Sequence, residues 1–168
     1  GAGISKNDGS NIIVINEGLI DATMTFGPAI DLAAGGVGGV DEIINTGTIQ
    51  GIAGGLVRLG DGDDNFINHN GTIITTSSQA VNLGNDNDVF TTFGGLISAV
   101  GPVAVNMDNG DDVTNINGFA ILEGILDGGN NIDELNLTIT GLTAAKLAEL
   151  AGQPGSGVNP DGSLQASG

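Results

Sequence analysis

The chain has 168 residues, a length that suits one domain. Twenty acidic residues against three basic ones give a formal charge of −17, a field that repels nucleic acid and anionic membrane surfaces and favours cations. Cysteine is absent, which excludes a disulfide framework, and the 39% hydrophobic content, carried by Ile, Leu, Val and Ala, excludes ordinary disorder.

Residues 1–10, "GAGISKNDGS", read as a Gly-rich N-terminal extension. "NIIVIN" (11–16) follows as a strongly apolar strand. From there the chain repeats. An alternating triplet appears as "IDL" (30–32), "VRL" (57–59), "VNL" (81–83) and "VNM" (105–107). Its outer residues are apolar and its middle one polar, which is strand periodicity with one face buried. A second extended run follows an aspartate: "DEIINTG" (41–47), "DNFINHNG" (64–71), "DVFTTFG" (88–94) and "DVTNING" (112–118). After its glycine comes a short third element: Thr48-Ile49, Thr72-Ile73, Gly95-Leu96 and Phe119-Ala120. Asp64, Asp88 and Asp112 are spaced by 24 residues; Asp41 lies 23 before the first and Asp133 lies 21 after the last.

A fixed period in this range marks a repeat architecture. Three short strands per repeat predict an all-β fold, a right-handed parallel β-helix (β-solenoid) over 11–141. It has about five coils of 23–24 residues. Coils stack at the ordinary strand spacing of about 4.8 Å. Val57, Val81 and Val105 then form one inner column, Leu59, Leu83 and Met107 a second, and Ile43, Phe66 and Phe90 a third that Thr114 breaks. Two places depart from the period. "LAAGGVGGVD" (32–41) is long and reads as a Gly-rich loop. "DNFINHNG" has one residue too many, which predicts a small bulge at His69 or Asn70. Beyond residue 141 the pattern changes. "TAAKLAELAG" (143–152), with Thr143 as N-cap and Gly152 as stop, predicts a short capping helix within 142–152. Residues 153–168 read as a Gly/Pro-rich tail.

The aspartates cluster at one corner. "LGDGDDNF" (59–66), "LGNDNDVF" (83–90) and "MDNGDDVT" (107–114) bring Asp61, Asp63, Asp64, Asp86, Asp88, Asp108, Asp111 and Asp112 onto one ridge. Like charges stacked one strand apart repel. A hard cation between coils reverses that sign, and Ca²⁺ takes six to eight oxygens of the kinds present here. The eight aspartates are therefore candidate Ca²⁺ ligands. The competing reading is a metal-free turn, since Asp, Asn and Gly are the commonest turn residues and stacked Asn can form amide ladders.

"GDGDDNF" (60–66) resembles the Ca²⁺-binding nonapeptide of RTX proteins, with Gly60 and Gly62 matching its glycines and Asp64 its aspartate. The match covers one corner per coil, whereas RTX nonapeptides run in tandem. The larger pattern, "NTGTI", "VRLGDGDDNFINHNGTI", "VNLGNDND", resembles the passenger domains of Gram-negative autotransporters and related secreted surface β-helix proteins, over roughly residues 11–152. That resemblance implies secretion or display at a cell surface. It implies no activity.

No catalytic constellation is legible. Lys6, Arg58 and Lys146 are the only bases and lie far apart. His69 is the only histidine, and no Ser–His–Asp or Cys–His grouping surrounds it. Carboxylates outside the corner (Glu17, Glu123, Glu134) make no evident glycosidase pair. An ice-binding face is disfavoured, because the threonines do not keep register from coil to coil. The expectation is a non-enzymatic structural protein. A β-helix exposes apolar interior and unpaired backbone at its ends. Ile12, Ile13, Val14 and Ile15 are expected to be unshielded in coil one, which predicts a homo-oligomer through terminal coils. The competing expectation is a monomeric passenger fragment of a longer adhesin. No nucleic acid or membrane insertion is expected, and no receptor or glycan can be named.

Overall fold

The computed structural model describes residues 3–138, apart from residues 7, 25–26, 34–37 and 53. The helix expected within 142–152 and the tail lie outside the described residues, as does the centre of the Gly-rich loop.

The described chain is a parallel β-solenoid. Coil one contains β1 (Ile4–Ser5), β2 (Ile13–Asn16) and β3 (Leu19–Ala22). Coil two contains β4 (Ile30–Asp31), β5 (Glu42–Asn45) and β6 (Thr48–Gly51). Coil three contains β7 (Val57–Asp61), β8 (Asn65–Asn68) and β9 (Thr72–Thr75). Then β10 (Gln79–Asn85) and β11 (Val89–Thr92) lead into the long β12 (Gly95–Asn109). β12 closes coil four with its first half and opens coil five with its second. β13 (Val113–Asn117) follows, β14 (Ala120–Asp127) does the same double duty, and β15 (Glu134–Thr138) is the last strand of the described residues. Every pairing among these strands is parallel. The order β15-β13-β11-β8-β5-β2 forms one six-stranded sheet. The other two faces join through β12 into a single sheet that starts at β1 and ends at β3.

Alternation decides what is buried. In β8 the pattern is inward for Phe66 and Asn68 and outward for Asn65 and Ile67. Register then turns repeats into columns. Val57, Val81 and Val105 pair directly, and all are buried. Leu59, Leu83 and Met107 are buried in the same faces. Ile43, Phe66, Phe90 and Thr114 stack in register, and the Phe66 and Phe90 rings lie 5.7 Å apart at 19°. No coil could shield these side chains alone; stacking makes the core.

The third element needs a correction of register. Thr48 and Thr72 do pair. The next residues in that column are Leu96 and Ile121, not Gly95 and Phe119. The cause is the corner before it. Asn70 absorbs the extra residue of coil three at φ 61, as the bulge at 69–70 required. Coil four has the same longer corner, with Gly94 and Gly95 at φ 129 and 87. Asn and Gly are the residues that reach this region most cheaply.

Residues 1–10 also differ from a free extension. Ile4 and Ser5 pair with Ile30 and Asp31, so coil one owns a strand on each face. Ile13 pairs with Glu42, 29 residues on. Against the 23 residues from Glu42 to its partner Asn65, four of the six extra residues fall between β4 and β5 and two between β3 and β4.

Candidate functional site

The aspartate corner joins β7 to β8, β10 to β11 and β12 to β13. The eight aspartates do not point one way there. Asp64, Asp88 and Asp112 are buried, as is Asp41. Their Oδ1 atoms accept backbone N–H groups from the coil before. Asp41 N–H donates to Asp64 Oδ1 (2.7 Å), Asp64 N–H to Asp88 Oδ1 (2.8 Å) and Asp88 N–H to Asp112 Oδ1 (2.8 Å). Asp112 N–H continues the series to Asp133 (3.2 Å), and Ile12 N–H begins it on Asp41 (2.8 Å). The column is thus one ladder five aspartates long. An N–H between successive carboxylates replaces the direct like-charge contact that the sequence implies.

The other oxygen of each carboxylate decides the electrostatics. Asp41 Oδ2 receives the ammonium of Lys6, itself buried. Asp64, Asp88 and Asp112 have an Oδ2 that is buried with no hydrogen-bond partner. A charged carboxylate in that state is costly. Burial accordingly pushes Asp64 up to about 7 and Asp88 up to about 8, with neighbouring aspartates adding to the rise. Burial raises Asp112 as well. Asp64, Asp88 and Asp112 therefore hold protons at pH values where ordinary carboxyls have lost them.

The exposed aspartates form two further rows. Asn85 donates to Asp61 (2.6 Å), Asn109 to Asn85 (2.7 Å) and Asn130 to Asn109 (2.7 Å), all through side-chain amides. In the second row the side-chain oxygen accepts from the following coil: Asn87 N–H to Asp63 Oδ1, Asp111 N–H to Asn87 Oδ1 and Ile132 N–H to Asp111 Oδ1. This direction opposes that of the buried ladder. The corner is therefore tied to both neighbours. Asp86 and Asp108 sit at φ 80 and 72. Asp86 accepts from Gly62 N–H (3.1 Å), and Asp108 from the Asn82 amide (2.9 Å). So Asp64, Asp88 and Asp112 come together inside, Asp61, Asp63, Asp86 and Asp111 ride outside, and Asp108 turns toward β10. Among the described residues no three His, Cys, Asp or Glu side chains converge as a metal-holding set.

A shallow groove of about 260 Å³ lies beside the corner, lined by Arg58, Asp61, Asn82, Asn85 and Asp108 over a floor of Gly60 and Gly84. Arg58 points outward, half exposed, with Asp31 at 3.8 Å. His69 is exposed and tilts against Phe93, ring centroids 5.1 Å apart.

Two features escaped the sequence. One is Lys6, which carries no periodic signal. The other is a buried amide ladder at the second corner: Asn16 donates to Asn45 (2.8 Å), Asn45 to Asn68 (2.9 Å), and Asn68 to the carbonyls of Gly71 and Gly94. Its signal was available, since these three asparagines share one inward column.

No protein family, curated protein or solved structure matches the chain.

Proposed function

We infer that the chain is a non-enzymatic structural β-solenoid of a bacterial exterior, associating end to end through its terminal coils. The observation that carries this is the edge at coil one. Among the described residues β2 ends the six-stranded sheet and β3 ends the other, and a parallel sheet edge is a template for another strand. A head-to-tail contact of this kind does not close and builds a filament. The repeat resemblance to secreted surface β-helices supports the exterior location.

The apolar part of this edge is smaller than the four residues expected. Val14 is buried over Ile43, and Ile12 is half-buried. Ile13 and Ile15 are 66% and 62% exposed, but their side chains point off the sheet face, because β2 alternates. Leu19 on β3 is also exposed. Backbone pairing carries more of the contact, and Ile13, Ile15 and Leu19 flank it. The test is Ile13→Lys with Ile15→Lys. Both positions face solvent, so the fold tolerates the change. Filaments are expected by negative-stain microscopy for the native chain, and fewer or none for the double variant. Equal polymerisation of both rules out Ile13 and Ile15 as part of the contact. A monomeric native chain favours a passenger fragment of a longer adhesin.

Calcium between coils is a second reading. The buried, partnerless Oδ2 atoms of Asp64, Asp88 and Asp112 favour it, since a cation there would supply the missing partner; a proton is the competing answer. Binding to the folded state raises the melting temperature by mass action. A melting temperature equal in EDTA and in millimolar Ca²⁺ rules the cation out.

A further inference from the structure

The groove beside the aspartate corner has a lining that combines fixed donors and acceptors. It extends from Ala33 in coil two to Asp108 in coil five, three coil spacings or about 14 Å along the stack. One wall is Arg58 and Asn82, which are register partners; the other is Asp61 and Asn85, also partners. Between them the floor is bare, because Gly60 and Gly84 stand at φ 114 and 122 and a Cβ on Gly84 would lie 1.8 Å from the Gly60 carbonyl oxygen.

Asp108 breaks this column. It pairs with Gly84 and holds φ 72, where glycine is the less strained residue. Its side chain leaves the floor and meets Asn82 across the groove. A residue held in an unfavourable conformation where its column uses glycine points to a role for the side chain.

We propose that this groove binds a neutral polyhydroxylated chain, a glycan segment laid along the stack. Asp61 and Asp108 accept from hydroxyl groups. Arg58 donates, since its nearest carboxylate at 3.8 Å is beyond hydrogen-bond reach. The Asn85 amide is fixed by its bond to Asp61 and the Asn82 amide by its bond to Asp108, so the polar groups are preorganised. The −17 field opposes an anion; Asp61 and Asp108 outnumber Arg58 in the lining, so a small cation is the competitor that the charged arms test. No aromatic ring lines the groove, so affinity is modest, with Kd up to about 1 mM.

The test is a ¹H–¹⁵N titration of the full chain in EDTA. The probes are cellotetraose, laminaritetraose and mannotetraose, with tetragalacturonate as the anionic arm and choline as the cationic arm. At least one neutral tetrasaccharide is expected to shift the Gly60 and Gly84 amides to saturation. Arg58→Ala and Asp108→Gly are expected to weaken it tenfold or more, while Asp108→Gly melts no lower than the native chain. Three outcomes overturn the proposal: no saturable shift with any neutral sugar, preference for a charged arm, or undiminished binding in Arg58→Ala, whose side chain faces solvent.

Discussion

Lys6 lies on Asp41: its ammonium donates to the Oδ2 that the other buried aspartates of the ladder leave without a partner. Continuing the register of Ser5 with Asp31 puts Lys6 at the level of Leu32, in the inner column of coil one. A lysine has replaced the leucine of later coils and reaches across the corner to the next coil's aspartate.

Removing one partner of a buried ion pair leaves a charge uncompensated and costs about 3–5 kcal/mol. Lys6→Met is expected to lower stability by that order in urea unfolding at pH 7. Lys6→Met with Asp41→Asn is expected to recover part of the loss. A Lys6→Met chain as stable as the native one rejects the pair as a stabilising contact.

The ladder also sets the pH response. Asp64 and Asp88 titrate near 7 and 8 in the folded chain against an ordinary value of 3.8. Between about pH 4 and 8 the folded state holds more protons than the unfolded one, so stability falls as pH rises through that window and levels off above it. Melting is expected at a higher temperature at pH 5 than at pH 8.5. Asp88→Asn keeps an acceptor for the Asp64 N–H but has no charge to bury. It is expected to flatten the profile and to exceed the native chain at pH 8.5. A melting temperature that rises from pH 5 to 8.5 contradicts the buried, protonated ladder.

Lys6 and Asp41 have a counterpart two coils on, in Leu59 and Asp88. Leu59→Lys places an ammonium where it can reach Asp88 Oδ2. The substitution loses a buried leucine, so the informative quantity is coupling. A double-mutant cycle with Asp88→Asn is expected to give about 2 kcal/mol or more of favourable interaction. Coupling near zero means that the reach from this column to the corner is peculiar to coil one.

The amide ladder makes a separate prediction. Asn45 both accepts from Asn16 and donates to Asn68. Asn45→Ala leaves both neighbours short of a partner in a buried site and is expected to cost about 2–4 kcal/mol. Asn16→Ala, at the end of the ladder, is expected to cost less. Equal losses, measured by chemical denaturation, argue against a cooperative ladder.

Much of this architecture follows from local chemistry. The 24-residue spacing of Asp64, Asp88 and Asp112, and the apolar-polar-apolar triplets at 57–59, 81–83 and 105–107, determine parallel stacking and name the inner columns, because strand alternation and repeat length depend on neighbouring residues alone. Corner length is less legible: Gly95 falls one residue short of the column and Phe119 two, since left-handed residues, Gly94 and Gly95 in one coil and Gly118 in the next, shape a turn without leaving a periodic mark. Which aspartates face inward was not legible at all. Asp63 and Asp64 are adjacent and chemically identical, yet one rides the surface and the other is buried. That choice depends on where the preceding coil directs its backbone N–H; the burial that follows raises Asp64 and Asp88 against the lowering effect of those N–H groups. Lys6 meets Asp41 across 35 residues of chain for the same reason: only the closed stack brings an inner column within reach of the next coil's corner.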